Sequence, residues 1–199
     1  MTGTVDARRF LELIRGRRSI RRYLDSPVPG ELIDQILECG LHAPNGGGLQ
    51  SSRFYVIQNP ERMNRLNDAI REGLRNRTIV EGSSVNKGIL RARQEGYHFC
   101  YRAPVLITAA APAVYDNRMA DCSVALENML LACHALGLGA CWCNQPHWLT
   151  DDELVRKIFR EIGMPDTEEI CGSICLGYTE NESKGKAPRK DNRIIKDTV

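Results

Sequence analysis

The chain lacks the features that mark membrane, secreted and multidomain proteins. It contains no apolar run approaching the roughly 18 residues that a membrane-spanning helix requires. Its first residues do not show the basic and then apolar pattern of a secretory signal, and no repeat, low-complexity tract or linker is evident. With 199 residues, of which 42% are apolar, we expect one cytoplasmic domain spanning 1–199, with a substantial core and no membrane partner.

The common glycine-rich phosphate motifs are also missing. Gly137-Leu138-Gly139 begins like a dinucleotide fingerprint, but Trp142 stands at the third glycine position. The segment also leads out of a helix into a strand, whereas the fingerprint needs the opposite order. The Walker pattern is absent as well. Any phosphate must therefore be held by side chains, chiefly arginine.

Eight cysteines and four histidines form no recognisable metal motif. If their segments are strands, the pairs Cys141/Cys143 and Cys171/Cys175 should each point to one face, because side chains alternate along a strand. A four-thiolate metal or redox site is conceivable, but structural zinc usually has two-residue spacers. We favour buried, reduced thiols and expect no metal. Cys100 near His98 is the nearest pairing of a nucleophile with a base, and sequence separation alone does not bring them together.

Cationic residues are concentrated at two places in a chain whose net charge is only +2. They are Arg17-Arg18-Ser19-Ile20-Arg21 and Ala187-Pro188-Arg189-Lys190. Guanidinium groups offer forked donors to phosphate and stay charged at physiological pH. The two stretches predict a phosphorylated cofactor rather than a nucleic-acid surface, although charge runs often only face water.

Hydrophobic periodicity predicts both helices and strands. A first helix begins after Asp6 with Phe10, Leu13 and Ile14 on its apolar face. The remaining predicted helices are 31–41, about 61–75, 121–136 and 151–162, and the strands are 53–57, 104–111, 140–144 and 170–178. Residues 42–50 form a loop, 76–98 a variable lid region of loop plus helix, and the segment from about 180 a polar tail.

The order of four motifs resembles the FMN-dependent nitroreductase superfamily from about Arg15 to Arg193. Each block is weak alone, but all four in order are specific. The blocks are Arg17-Arg18-Ser19-Ile20-Arg21-Arg22-Tyr23; Ala43-Pro44 with Gln50 and Phe54-Tyr55-Val56-Ile57; Ala103-Pro104-Val105-Leu106-Ile107 with 127–132 and 137–142; and Leu176-Gly177-Tyr178 with Pro188-Arg189-Lys190.

The resemblance implies an α+β fold, with a mixed, mainly antiparallel sheet flanked by helices, in an interlocked homodimer that binds two FMN molecules at its interface. Three groups of residues would hold each FMN. The phosphate and ribityl chain would lie on Arg17, Arg18, Ser19, Arg21 and Arg189; the partner subunit would contribute Pro44, Asn45 and Gln50; and Trp142, Cys143, Asn144 and Gln145 would lie along the isoalloxazine.

The same resemblance implies ping-pong hydride transfer from NAD(P)H to an electron-poor acceptor such as a nitroaromatic, a quinone or a flavin. Reductive dehalogenation, flavin fragmentation and a non-catalytic FMN carrier or sensor remain alternatives. The chain departs from the family where it has Asn45, Gly48 and Ser51-Ser52. Family members usually carry Ser, Asn and Pro-Trp there, so we expect a more mobile loop and altered cofactor affinity.

Overall fold

The computed structural model describes residues 6–180, 189–191 and 193–197. Helices and strands follow one another with short connections, and one 3₁₀ turn covers Gly46–Gly48. The helices are α1 Ala7–Gly16, α2 Gly30–Leu41, α3 Pro60–Arg75, α4 Asn86–Ala92, α5 Arg118–Ala135, α6 Gln145–Trp148 and α7 Glu153–Arg160. The strands are β1 Arg53–Ile57, β2 Val105–Pro112, β3 Gly139–Trp142 and β4 Glu168–Gly177.

The four strands form one antiparallel sheet in the order β1-β2-β4-β3. The segment that contains Ser19 pairs with β3 in the parallel direction, through one isolated bridge between Ser19 and Ala140. Helices cover both faces of the sheet. The predicted α+β fold with a mainly antiparallel sheet is confirmed.

Strand β2 lies at the centre of two hydrophobic cores, because its alternate side chains point to opposite faces of the sheet. Leu106 joins a core with residues of α3 and α7, and Ile107 joins a core with residues of α2 and α5. Both side chains are fully buried. Both faces of β2 are covered, which explains why its sequence is a nearly continuous apolar run rather than an alternation of polar and apolar residues.

A β-bulge overturns one expectation about the cysteines. In the β2–β4 register Ala109 pairs with Gly172 and Ala110 with Ile170, so Cys171 is the extra residue. The bulge reverses the alternation between Cys171 and Cys175, which therefore join different cores. The prediction that this pair shares one face is wrong, and the two strand pairs do not build a four-thiolate site.

Helix α5 begins three residues before the predicted start at Asp121. This places Asp121 in the first turn of the helix, where its side chain is turned inward and only 7% exposed. Helix α6 was not expected, and α4 accounts for the helical part of the region 76–98. In the described part of the chain, no helix combines the length and the apolar character that crossing a membrane demands.

Candidate active site

The cationic segment that follows α1 lies against the start of β3. The amide of Ile20 donates to the carbonyl oxygen of Ala140 at 2.9 Å, beside the bridge between Ser19 and Ala140. Gly139 permits this approach, because a Cβ there would lie 2.8 Å from a methyl carbon of Ile20. Since β3 leads directly into residues 142–145, the structure brings two of the three predicted groups of site residues side by side.

Two of the predicted arginines already have partners within the chain. Arg17 pairs with Glu127 of α5 at 3.5 Å, and its side chain is 26% exposed. Arg18 folds back on α1, where its Nη1 donates to the carbonyl oxygens of Arg15 and Arg17 at 3.0 and 2.7 Å. Arg18 thus caps the C-terminus of the helix, whose last carbonyls would otherwise lack partners.

Arg21 is oriented by Tyr101. Its Nε donates to the Tyr101 hydroxyl at 3.2 Å, and its guanidinium carbon lies 5.7 Å from the centre of that ring. Tyr101 and Arg102 both have left-handed backbone angles, with φ of 57° and 59°. Such strain in non-glycine residues is typical of functional sites and of the segments that support them.

Three thiols lie beneath this segment, in the core. The Sγ atoms of Cys143 and Cys175 are 3.3 Å apart, and all three side chains of Cys141, Cys143 and Cys175 are buried. A hydrogen bond from Cys143 lowers the pKa of Cys141 to about 7, and the nearby charge of Arg21 acts in the same direction. Among the described residues no His, Cys, Asp or Glu group is arranged to hold a metal.

The segment after β3 alternates between the two sides of the sheet. Cys143 points into the core, so its backbone is the part available to a cofactor. The indole N–H of Trp142 donates to the side-chain oxygen of Asn144, and the Trp142 ring lies over Gly172, where a Cβ would approach it to 2.6 Å. Within the described structure, the buried Oε1 of Gln145 has no hydrogen-bond partner.

The third group, Pro44, Asn45 and Gln50, lies elsewhere in the same chain. These residues line a cavity of about 180 Å³ at the N-terminal end of α5. The cationic segment instead lies near the other end, because a Cβ on Gly16 would be 3.0 Å from His134. Asp121 and His134 are thirteen residues apart on α5, a rise of about 20 Å. One chain therefore does not unite the loop with the arginines.

Arg189 lies in the part of the chain that the structure describes, and its side chain is exposed. The residues that connect it to Glu180, including Lys186 and Pro188, lie outside the described residues. Its predicted place at the phosphate stays a prediction.

His98 and Cys100 do converge, with Nδ1 and Sγ 3.5 Å apart. Burial raises the pKa of Cys100 well above its ordinary value and lowers that of His98 to about 4. Both groups are therefore neutral near pH 7, and no activated thiolate forms. The interpretation as a buried thiol beside a partly exposed histidine is favoured.

No sequence pattern predicted that Asp121, Tyr115 or Tyr101 orders the site. The sequence feature that could have indicated the role of Asp121 is a carboxylate at the start of an otherwise apolar helical segment. No pattern linked Tyr115 to it, because their contact depends on the turn before α5.

A family model described as the nitroreductase family matches residues 14–178. The chain belongs to the nitroreductase family. A curated relative from Methanothermobacter thermautotrophicus, provisionally named an NADH dehydrogenase/NAD(P)H nitroreductase, is 31% identical over 180 residues, which are 88% of this chain and 80% of the relative. A relative with the same provisional name from Archaeoglobus fulgidus is 27% identical, with 86% of each protein covered.

Solved structures show the same fold. A nitroreductase with bound FMN from Bacteroides fragilis is 29% identical to the chain, which it matches with a TM-score of 0.83 over 94% of this chain and 97% of the other. An iodotyrosine deiodinase crystallised with FMN and 3-iodo-L-tyrosine is 19% identical with a TM-score of 0.72, covering 96% and 100% of the two chains. That second likeness concerns the fold alone.

Proposed function

We propose that this nitroreductase-family protein is an FMN-dependent oxidoreductase that uses NAD(P)H to reduce electron-poor acceptors such as nitroaromatics, quinones or flavins. The family membership supports an oxidoreductase. The bound FMN of the Bacteroides fragilis neighbour supports the cofactor, and the provisional names of the two archaeal relatives support the nicotinamide donor.

The observation that carries the proposal is the contact of the segment 17–21 with β3. It sets Arg17, Ser19 and Arg21 beside the strand that leads into residues 142–145. The donor set fits FMN, because the arginines supply cations for the phosphate and the 142–145 segment supplies amide groups. Arg18 Nε and Gln145 Oε1 are buried and have no hydrogen-bond partner in the described structure. A polar ligand such as FMN would supply partners for them.

When bound, FMN would supply hydride acceptance from a nicotinamide and reduction of the second substrate, in a ping-pong sequence. Arg17 and Arg21 would hold its phosphate end, with Arg18, Ser19 and Arg189 close by. Trp142, Asn144, Gln145 and the backbone of Cys143 would orient its ring. Amide donors near Asn144 would stabilise negative charge that develops there, as preorganised dipoles do.

We also propose that the working unit is a cytoplasmic homodimer with two FMN sites and no nucleic-acid partner. Helix α1 has no buried residue, and its Phe10 and Ile14 are 51% and 42% exposed. Burying such a face against a second copy would be favourable. The same assembly would bring Pro44, Asn45 and Gln50 to the arginines of the other chain. All eight cysteines are free thiols, as is typical of a reducing compartment.

Residues 1–199 would form a single domain in which 76–98 is a variable lid and the segment from about 180 a polar tail. The lid proposal is supported by the position of α4, whose Gly88 faces the ring of Trp148 in α6. Helix α6 begins at Gln145, the last of the proposed ring-binding residues. Val80, in the same region, is 60% exposed and available to cover an apolar substrate.

The test is an absorbance spectrum of the purified protein, before and after anaerobic addition of NADH or NADPH. We expect a yellow protein that either nicotinamide bleaches, and that a nitroaromatic or quinone then restores to yellow. Protein that stays colourless with excess FMN would refute the proposal. A yellow protein that neither nicotinamide reduces would instead indicate a carrier or sensor. Substrate trials under air and under nitrogen would identify dehalogenation or flavin fragmentation.

A further inference from the structure

We propose that Asp121, acting with Tyr115, is the positioning residue of the flavin site: it fixes the loop 44–50 in the conformation that a partner subunit's flavin requires. The inference rests on the proposed function, because it concerns the loop assigned to FMN. It assigns a role to two residues outside the predicted FMN-binding set, one of which, Asp121, lines the same cavity as Pro44, Asn45 and Gln50.

The Asp121 carboxylate is the centre of the contacts that hold this loop. The amide of Gly46 donates to both carboxylate oxygens, at 3.2 and 3.1 Å. The Tyr115 hydroxyl donates to Asp121 Oδ2 at 2.7 Å and lies 3.2 Å from the carbonyl oxygen of Gly46. This hydrogen bond to Asp121 raises the pKa of Tyr115. The main chain of Gly46 is therefore held at its N–H by Asp121, and its C=O lies beside the hydroxyl of Tyr115.

The residue type at position 46 agrees with this arrangement. A Cβ on Gly46 would lie 2.5 Å from Tyr115 Oη and 2.5 Å from the side-chain amide nitrogen of Asn117. Only glycine allows the backbone to approach the two side chains so closely.

The loop needs such an anchor because its own sequence does not define one conformation. Gly47 and Gly48 have φ of 63° and 69°, and Gln50, although not a glycine, has φ of 49°. Glycines lose more backbone freedom on ordering than other residues do. Within the loop, Asn45 Oδ1 accepts the amide of Gln50 at 2.9 Å.

The anchor lies beside the place where the loop departs from the pattern of the family that the sequence resembles. Ser51 and Ser52 replace the Pro-Trp pair that would otherwise stiffen and cover the loop. The buried carboxylate of Asp121 holds the loop from the side of α5. The expectation of a more mobile loop stays a prediction, and we expect variants that lack this anchor to be more mobile still.

The experiment measures FMN affinity in Tyr115→Phe and Asp121→Asn by quenching of flavin fluorescence on titration into apoprotein. A hydrogen bond to a charged group changes an equilibrium by about tenfold or more, so we expect Kd for FMN to rise at least about tenfold in each variant. Tyr55→Phe is the matched control, because its hydroxyl makes an equivalent 2.6 Å bond to the buried Glu168.

A second readout needs no flavin. Hydrogen exchange at the Gly46 amide should become faster in Asp121→Asn apoprotein, and should be unchanged in Tyr55→Phe. If the wild type binds FMN and both loop variants bind it as tightly, or if the control weakens binding as much as they do, the positioning role is wrong and the proposed function stands. A wild type that binds no FMN would overturn both.

Discussion

Replacing Arg17 by alanine should weaken FMN binding more than the same loss of charge at the exposed Arg22. The Arg17 guanidinium pairs with Glu127 at 3.5 Å, and its side chain is 26% exposed. A charge-assisted hydrogen bond contributes about 1.5–3 kcal/mol, and partial exposure to solvent reduces that to about 1–2 kcal/mol. The expected result is a rise in Kd of roughly 5- to 30-fold, since each 1.4 kcal/mol is about tenfold.

The assay is titration of apoprotein with FMN, repeated at low and at high salt. The matched control is Arg22→Ala, which removes the same charge from an exposed position five residues further along the chain. The difference between the variants should shrink as salt screens the phosphate contact. An Arg17→Ala protein that binds FMN as tightly as the control would remove Arg17 from the phosphate site.

Three further predictions concern the scaffold. Gly172→Ala should destabilise the fold by about 1–3 kcal/mol in urea unfolding, because its Cβ would lie 2.6 Å from the Trp142 ring; unchanged stability would contradict the packing described for that ring. Burial lowers the pKa of His98 from 6.5 to about 4. As pH falls, His98 is therefore protonated in the unfolded chain before it is protonated in the folded one. The free energy of unfolding should decline as pH falls from about 6.5 to about 4. His98→Gln should flatten that decline, and an identical pH profile would exclude the histidine as its source. In native protein, a thiol reagent should react rapidly with one cysteine, the exposed Cys39; loss of this reaction in Cys39→Ser would confirm the site, and fast reaction of several thiols would contradict the burial of the others.

Much of the fold follows from local sequence patterns. Strand β1 has the predicted bounds, because Arg53–Ile57 is rich in aromatic and β-branched residues and Asn59-Pro60 ends it. Helix α1 begins where Asp6 accepts the amides of Arg8 and Arg9, as the capping pattern predicts. These features depend on residues a few positions apart, which is the range over which sequence patterns are informative.

The features that were not predicted depend on distant contacts. The bulge at Cys171 arises from the register between β2 and β4, and no local signal marks it. The four-residue helix α6 is too short to show a period. The contact of Ile20 with Ala140 joins segments 120 residues apart, so the motif order indicated a shared site while the hydrogen bonds that build it could not be foreseen.

In the candidate site too, sequence patterns indicate the segments, whereas the contacts between them depend on the folded structure. The arginines are predicted to hold a phosphate, which stays a prediction, and the capping role of Arg18 depends on how α1 ends. The placement of the segment 142–145 along the flavin stays a prediction, and the inward direction of Cys143 follows from the packing of β3 on β4. The anchoring of Gly46 by Asp121 joins residues 75 positions apart and needed the folded structure.

The central claim is that the arginine segment of one subunit and the loop 44–50 of the other share one FMN. The most direct test is to co-express Arg17→Glu and Gly46→Val chains with different tags, isolate the mixed dimer and measure bound FMN. In that dimer one site carries both changes and the other carries neither. We expect one FMN per mixed dimer and almost none in either parent variant. A mixed dimer with no FMN, or parent variants that retain two, would contradict a site shared between subunits.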